Sequence, residues 1–163
     1  MGFFDGMKSA SEWCSKGTTL NYQGKYKEAI TCFENALATD ENNAQAWGGK
    51  GIALSLLDKS QEAILCFDRV IALEEGNPDG WGLKGEALSA LNKYEEAIVC
   101  FNKVTALNKN DYRYEGHCGA ACFVLGRYNE AENHLMHGLS LKPNDRTLNE
   151  FYTHTQEKLK NRN

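Results

Sequence analysis

Apolar and small residues recur along this chain in a pattern that repeats at a fixed interval. Tryptophan holds one place in three copies of the pattern, and glycine, glutamate and alanine each hold a place in four copies. These residues are Trp13, Trp47 and Trp81; Gly17, Gly51, Gly85 and Gly119; Glu28, Glu62, Glu96 and Glu130; and Ala29, Ala63, Ala97 and Ala131. A fixed period of about 34 residues predicts stacked structural units, in which each unit contacts its neighbours.

The signals that begin and end helices recur with the same spacing. Side chains suited to cap the start of a helix are Ser9, Asn43, Asn77, Asp111 and Asp145. They predict first helices near residues 10–23, 44–57, 78–91, 112–125 and 146–160. Residues that tolerate the left-handed backbone at a helix end are Gly24, Asp58, Asn92 and Gly126. Second helices are therefore expected to begin near Tyr26, Ser60, Tyr94 and Tyr128, so that each unit is an antiparallel helix pair.

Apolar side chains within one unit predict how its two helices pack. In the third unit, Ala97, Phe101 and Val104 lie on one stripe of the second helix. The small Gly85 on the first helix and Ala97 on the second allow the two helix axes to approach closely. A large residue at Gly51 or Gly85 is expected to push the helices apart.

This pattern resembles the tetratricopeptide repeat, whose signature places Trp, Leu, Gly, Tyr, Ala, Phe, Ala and Pro at fixed positions. The third unit carries that signature as Trp81, Gly85, Leu88, Ala97 and Phe101. The resemblance implies an all-α fold, a right-handed superhelical solenoid of antiparallel helix pairs. The expected divisions are an N-terminal segment at 1–9, repeats at 10–43, 44–77, 78–111 and 112–145, and a C-terminal capping helix and tail at 146–163. In the fourth repeat Glu115 replaces Trp, which suggests a looser or more exposed end.

In this family the first helices line a concave surface that binds peptides or other proteins, so the resemblance implies a non-enzymatic interaction module or adaptor. Carried onto this chain, the expected groove residues are Gln45, Gly48, Gly49, Ile52, Leu56, Asp79, Gly82, Leu83, Glu86, Arg113, Gly116, His117, Ala120 and Phe123. The glycines are expected to let a guest backbone come close. The predicted partner is a protein segment with apolar anchors and with basic residues that face Asp79 and Glu86.

One subfamily of co-chaperones grips a C-terminal carboxylate with Lys, Asn and Arg side chains on the first helices. At the matching positions this chain carries Cys14, Thr18, Gly49, Asp79 and Leu83. None of these residues matches that pattern, so an adaptor for chaperone tails is disfavoured.

Two alternatives to the interaction module stay open at this point. A metal- or thiol-dependent activity would use His117, Cys118 and Cys122, with His134 and His137 on the partner helix. Against it, Cys118 and Cys122 occupy the inward stripe of their helix, where Cys is commonly a small buried hydrophobe. The second alternative is a scaffold that self-associates through the ends of the stack or through residues 1–8. The sequence favours no catalytic residue, no metal site and no cofactor.

Charge and composition narrow the partner class. The net charge of −4 and the pI of about 5.6 disfavour nucleic acid, which needs a basic surface. No apolar run approaches the roughly 20 residues that cross a membrane. Three of the six cysteines, Cys32, Cys66 and Cys100, recur once per repeat. Without a visible signal peptide, they favour reduced thiols and a cytoplasmic protein.

Overall fold

The computed structural model describes residues 8–161, and all nine regular elements in that range are α-helices. The helices are α1 (Ala10–Tyr22), α2 (Tyr26–Thr39), α3 (Ala44–Ser55), α4 (Ser60–Leu73), α5 (Pro78–Ala90), α6 (Tyr94–Leu107), α7 (Tyr112–Val124), α8 (Tyr128–Leu141) and α9 (Arg146–Lys160). The predicted helices are confirmed to within one turn at each end. Most of the predicted N-terminal segment, residues 1–7, lies outside the described residues. Within residues 8–161, no helix is both long enough and apolar enough to cross a membrane.

The chain divides into two compact units, residues 1–75 with α1–α4 and residues 76–163 with α5–α9. In the first unit, consecutive helices pack against each other and α1 also contacts α3. In the second unit, consecutive helices again pack in order and α7 also contacts α9. The predicted all-α helical repeat fold is confirmed, because pairs of successive helices form the packing in both units.

Side-chain caps begin the first helix of each repeat, as the sequence predicts. Glu12 N donates to Ser9 Oγ at 3.2 Å, and Ser9 N donates to Glu12 Oε2 at 2.7 Å, which completes a capping box. Asp145 accepts from Leu148 N at 3.1 Å at the start of α9. These bonds satisfy backbone N–H groups that have no partner within the helix.

The turns that join the two helices of each repeat need a left-handed residue. The φ angles are +75° at Gly24, +59° at Asp58, +59° at Asn92 and +72° at Gly126. Glycine meets no steric penalty there, and Asp and Asn tolerate this conformation better than most residues. The predicted helix ends are therefore confirmed by the backbone itself.

Each repeat buries a large side chain of its second helix against a glycine of its first helix. A Cβ atom on Gly51 would lie 2.5 Å from the Phe67 ring, and one on Gly85 would lie 2.5 Å from the Phe101 ring. Gly17 faces Phe33 in the same way, and the fourth repeat pairs Gly119 with Leu135. The predicted close approach is thus confirmed, and the glycines make room for these buried side chains. All six cysteines are buried in the same packing.

Candidate functional site

In the first unit, the predicted groove residues lie along α3. Gln45, Ile52 and Leu56 are exposed to differing degrees, whereas Gly48 and Gly49 are half-buried. A Cβ atom on Gly49 would lie 2.3 Å from the Phe33 ring, and the Gly49 carbonyl accepts from Asn21 Nδ2 at 3.1 Å. The absence of a side chain at Gly49 therefore leaves room for the Phe33 ring, which belongs to the same unit.

In the second unit, the groove residues of α5 differ in exposure. Asp79 and Glu86 are exposed, Leu83 is half-buried, and Gly82 is buried. A Cβ atom on Gly82 would lie 2.2 Å from the Tyr114 hydroxyl oxygen, so Tyr114 of α7 fills the space beside this glycine. The expectation that Gly49 and Gly82 leave room for a guest backbone does not agree with this packing.

In the second unit, a cleft of about 350 Å³ lies between α7 and α9 and is here called the α7–α9 cleft. Its lining combines predicted groove residues on α7 with residues at the start of α9. These are Tyr112, Arg113, Gly116, His117, Ala120, Asp145, Thr147, Leu148 and Phe151. Leu148 packs against Gly116, where a Cβ atom would lie 2.6 Å from its Cδ2.

Four of the predicted groove residues thus line one cleft: Arg113, Gly116, His117 and Ala120. The structure adds α9 residues that sequence reasoning treated only as part of a terminal cap. The sequence did contain a signal for these α9 residues. The N-cap of α9, Asp145, follows the N-cap of α7, Asp111, by one full period of the repeat. The helix is therefore equivalent to a first helix, and its side chains extend the same face.

Charges on this face are partly neutralised by the protein itself. Arg113 donates to Asp111 through Nε at 3.0 Å and through Nη2 at 2.7 Å. These hydrogen bonds raise the pKa of Arg113 and lower the pKa of Asp111. His117 stacks on the Phe101 ring at 5.1 Å, and its Nε2 lies 4.0 Å from Glu86 Oε1. Arg113 already has its counter-ion, while the carboxylates on α5 give that side of the face an acidic character.

Phe123 is the predicted groove residue with the clearest structural role. Its ring lies 5.4 Å from the Tyr128 ring and 6.2 Å from the Phe151 ring, in an edge-on contact with the latter. Phe123 is half-buried and connects α7 with α8 and α9. Its replacement by Asp would disturb folding as well as any groove.

The histidines and cysteines of the alternative metal- or thiol-dependent site do not come together in one cluster. Cys118 and Cys122 are fully buried, and burial raises the pKa of both thiols, which is unfavourable for thiolate chemistry. His117 lies near Glu86, whereas His134 and His137 each contact Glu115. Across residues 8–161, no group of three or more His, Cys, Asp or Glu side chains could hold a metal ion. The alternative of a metal- or thiol-dependent site shared by His117, Cys118 and Cys122 is therefore corrected by the structure.

Glu115 also corrects the expectation of a looser fourth repeat. It is only 6% exposed, and its two carboxylate oxygens lie 2.8 Å from Nδ1 of His134 and of His137. Burial by itself raises the pKa of Glu115, but the hydrogen bonds from the two histidines outweigh it. The pKa of this carboxyl therefore lies below its ordinary value.

Comparison with known proteins agrees with this architecture. The tetratricopeptide repeat profile matches residues 10–43, and the profile of subunit 3 of the anaphase-promoting complex, or cyclosome, matches residues 57–137. A search of curated proteins found no match.

Solved structures of low sequence identity share the fold. MamA is 17% identical with a TM-score of 0.85, over 91% of this chain and 81% of that protein. YrrB, described as a TPR protein with an unusual peptide-binding site, is 20% identical with a TM-score of 0.81, over 94% of this chain and 79% of that protein. The first TPR domain of Spaghetti (RPAP3), bound to the HSP90 peptide SRMEEVD, is 26% identical with a TM-score of 0.70, over 72% of this chain and 93% of that domain.

The fixed period of the sequence, the helix pairs and these matches lead to one assignment. The chain belongs to the tetratricopeptide repeat family.

Proposed function

We propose that this protein is a non-enzymatic interaction module that binds a segment of a partner protein on the face formed by α5, α7 and α9. The observation that carries the proposal is the α7–α9 cleft, which predicted groove residues and the start of α9 line together. Concave sites with an apolar floor and a few polar groups are typical of ligand binding. The peptide-binding site of YrrB and the peptide bound to the Spaghetti domain support the same class of function.

The floor of the cleft favours an apolar anchor on the partner. Gly116, Ala120, Leu148 and Phe151 present mainly carbon to the cavity, and its volume of about 350 Å³ is at the lower end of the range for small-molecule pockets. One or two apolar side chains of a peptide would fill this space. The burial of such an anchor would supply most of the binding free energy.

The charges around the floor favour basic residues next to that anchor. Arg113 is held by Asp111, so its charge is compensated within the protein. Asp79 and Glu86 lie exposed on α5, and Glu86 Oε1 is 4.0 Å from Nε2 of His117 across the face. A basic side chain of the partner would add an opposite charge there, which steers association and sets orientation.

The Spaghetti domain is bound to a peptide with consecutive acidic residues, SRMEEVD. The positions that hold a carboxylate in the co-chaperone subfamily carry Cys14, Thr18, Gly49, Asp79 and Leu83 in this chain. Asp79 would repel such a peptide. We therefore propose a partner of the opposite charge for this protein.

The groove residues of the first unit stay predictions. Ile52 is 36% exposed and Leu56 is 52% exposed, with Tyr22 exposed on α1 in the same unit. These residues offer apolar contact area to a longer partner segment, while Gln45 adds a polar side chain. We propose them as secondary contacts.

The proposal is tested by capture of partners from a native lysate with the wild-type chain and with an E86K/T147R variant. Both positions are exposed, so the fold should tolerate the changes, while the variant reverses one charge and narrows the cleft. We expect partners that bind the wild type to be captured about tenfold less well, which corresponds to about 1.4 kcal/mol.

The matched control is E150K, which makes the same Glu-to-Lys replacement as E86K, but on α9. Glu150 pairs with the exposed Arg146 and does not line the cleft. The control should capture the same partners as the wild type. Equal capture by wild type, E86K/T147R and E150K would show that partners bind elsewhere on the molecule.

A further inference from the structure

Two exposed carboxylates on α5 lie on one stripe of the helix, with a glycine between them. Asp79, Gly82 and Glu86 are spaced by three and four residues, so they share one face of the helix. Within residues 8–161, neither Asp79 nor Glu86 lies within ion-pair distance of a lysine or an arginine. The stripe therefore keeps two negative charges that no lysine or arginine in that range compensates.

A hydroxyl group from the next repeat lies at the centre of this stripe. The Tyr114 side chain of α7 fills the place beside Gly82, where a Cβ atom would lie 2.2 Å from its hydroxyl oxygen. Tyr114 is only 9% exposed, yet its hydroxyl forms no hydrogen bond within the described residues. In the same range, the buried side-chain oxygen that lacks a partner is Asn21 Oδ1, so the Tyr114 hydroxyl still reaches solvent. A nine-tenths buried side chain thus presents an open polar atom beside the glycine that separates the two carboxylates.

The Tyr114 hydroxyl lies within the electric field of these carboxylates. Burial raises the pKa of Tyr114, and the charge of Glu86 raises it further, with a smaller contribution of the same sign from Asp79. Arg113 acts in the opposite direction, and its guanidinium lies 5.6 Å from the centre of the Tyr114 ring. Asp111 accepts two hydrogen bonds from Arg113, so this cation has its own counter-ion. The hydroxyl therefore stays protonated at neutral pH, and its oxygen can accept a hydrogen bond from a cation.

An aromatic cluster lies beside the hydroxyl. The rings of Phe101, Tyr114 and His117 lie 5.1 to 5.8 Å from one another, centre to centre. The His117 side chain is 47% exposed, and its Nε2 lies 4.0 Å from Glu86 Oε1. A carboxylate, an open hydroxyl oxygen and a partly exposed ring are thus close together, and all three are groups that attract cations.

We propose that an arginine side chain of the partner segment binds at this place, here called the α5–α7 subsite and formed by Asp79, Gly82, Glu86, Tyr114 and His117. This proposal rests on the proposed function and specifies which basic residue the partner carries. The guanidinium group is planar, carries five N–H donors and stacks on rings, whereas the ammonium group of lysine is a compact charge. One edge of the guanidinium donates to the Glu86 carboxylate, and a further N–H donates to the Tyr114 hydroxyl oxygen.

The test is an NMR titration of the full chain with N-acetylarginine amide, which presents the side chain without a partner protein. The matched probes are the citrulline amide, which has the same shape without the charge, and the lysine amide, which has the charge without the planar group. A single side chain is expected to bind with a Kd on the order of millimolar. We expect saturable shifts at the backbone of Gly82 and at the His117 ring with arginine, severalfold weaker binding of lysine and no binding of citrulline.

Single substitutions identify the groups that hold the cation. Y114F keeps the packed ring and removes a hydroxyl that has no hydrogen-bond partner in the described residues, so the fold should tolerate it. It should weaken binding of the arginine probe about three- to tenfold, and E86Q should weaken it at least as much. Y152F and E150Q make the same replacements on α9 and should leave the affinity unchanged.

The wild-type titration decides the proposal even if a variant fails to fold. Equal responses to arginine and citrulline, or no saturable response to any of the three probes, would overturn it. Equal affinity for lysine, or full affinity in Y114F, would overturn the assignment to arginine.

The proposed function is tested separately by capture of partners with a T147R variant. This change narrows the α7–α9 cleft and leaves the residues of the α5–α7 subsite unchanged. Loss of capture by T147R, together with no response to the arginine probe, would support the proposed function and overturn the arginine subsite alone.

Discussion

Four glycines, one in each repeat, face a large buried side chain of the following helix. Phe33, Phe67 and Phe101 are at most 1% exposed, so their rings have little freedom to move away. Interiors are close-packed, and a single added methyl group must displace atoms that have nowhere to go. Contacts at the scale of a single atom thus favour glycine at this position in every repeat.

Gly85→Ala should lower the free energy of unfolding by about 1–3 kcal/mol, because its Cβ would lie 2.5 Å from the Phe101 ring. Chemical denaturation followed by circular dichroism measures the change. Gly76→Ala is the matched control, since nothing lies within 4 Å of a Cβ at that position. Equal stability of the two variants would show that the ring does not restrict this position.

At Glu115, a charged residue takes the place that tryptophan holds in earlier repeats. Two histidines compensate the buried carboxylate, and the hydrogen bonds they donate are of the stronger, charge-assisted kind. The position is therefore buried and hydrogen-bonded, although its chemistry differs from that of tryptophan.

Glu115→Gln should lower the free energy of unfolding by about 1–3 kcal/mol at pH 7, and the difference should depend on pH. Because the folded-state pKa of Glu115 lies below its unfolded value, its ionised form contributes stability above the unfolded pKa of about 4.3. That contribution is lost as the pH falls through the folded pKa. Denaturation curves of both proteins between pH 3 and 7 should therefore converge at the acid end.

The control for this series is Glu150→Gln, which removes an exposed carboxylate from the same unit. Surface ion pairs contribute little, so its effect should stay below about 1 kcal/mol throughout. A gap between wild type and E115Q that stays constant from pH 7 to pH 3 would contradict the ionised state assigned to Glu115.

At the scale of the helix, short turns with a single left-handed residue decide where each first helix stops. Asp58 and Asn92 occupy that conformation without being glycine, while Gly24 and Gly126 hold the equivalent positions. A Cβ in this region makes a close contact with the backbone, at a cost that glycine avoids. Two of the four turns therefore use a residue that is not the most stable choice.

Asp58→Gly should raise the free energy of unfolding by a few tenths to about 1 kcal/mol, whereas Asp58→Ala should lower it by a similar amount. Both changes remove the same carboxylate, so their difference isolates the backbone preference. Thermal unfolding followed by circular dichroism measures both. If the Ala variant matched the Gly variant, the left-handed conformation would not limit stability at this turn.

At the scale of the molecule, α9 both covers the last repeat and completes the α7–α9 cleft. It packs against α7 and α8, with Leu148 only 4% exposed and Thr155 fully buried. Repeat proteins need a terminal element with a polar outer face, because an uncovered apolar face promotes association. The same helix also contributes Thr147, Leu148 and Phe151 to the lining of the α7–α9 cleft.

Deletion of residues 146–163 should lower the unfolding temperature and cause association, because it uncovers the faces of α7 and α8. The milder variant Leu148→Ala should lose about 2–5 kcal/mol, the usual effect of removing a buried Leu side chain. Calorimetry and light scattering measure the two effects. Arg146→Ala, at the exposed side of the same helix, is expected to stay within about 0.5 kcal/mol of wild type. A truncated chain with the wild-type unfolding temperature would show that α9 is not a cap.

The sequence by itself determined the helices and their pairing. Caps such as Ser9 and Asp145 and turn residues such as Asp58 act on backbone groups a few positions away, so a local pattern is enough to predict them. The fixed period of the repeat then predicted which helices pack together, and the tetratricopeptide repeat fold followed.

Only the tertiary structure decided the details of the candidate sites. Glu115 contacts His137 of the next helix, and Gly82 contacts Tyr114 of the next repeat, so no local pattern shows that these residues touch. Whether a glycine leaves open space or receives a neighbouring side chain depends on the distance between helices. Likewise, the role of the Glu115 charge could be interpreted only once its burial and its two histidine contacts were known. On the protein surface the same carboxylate would be solvated by water and would need no partner.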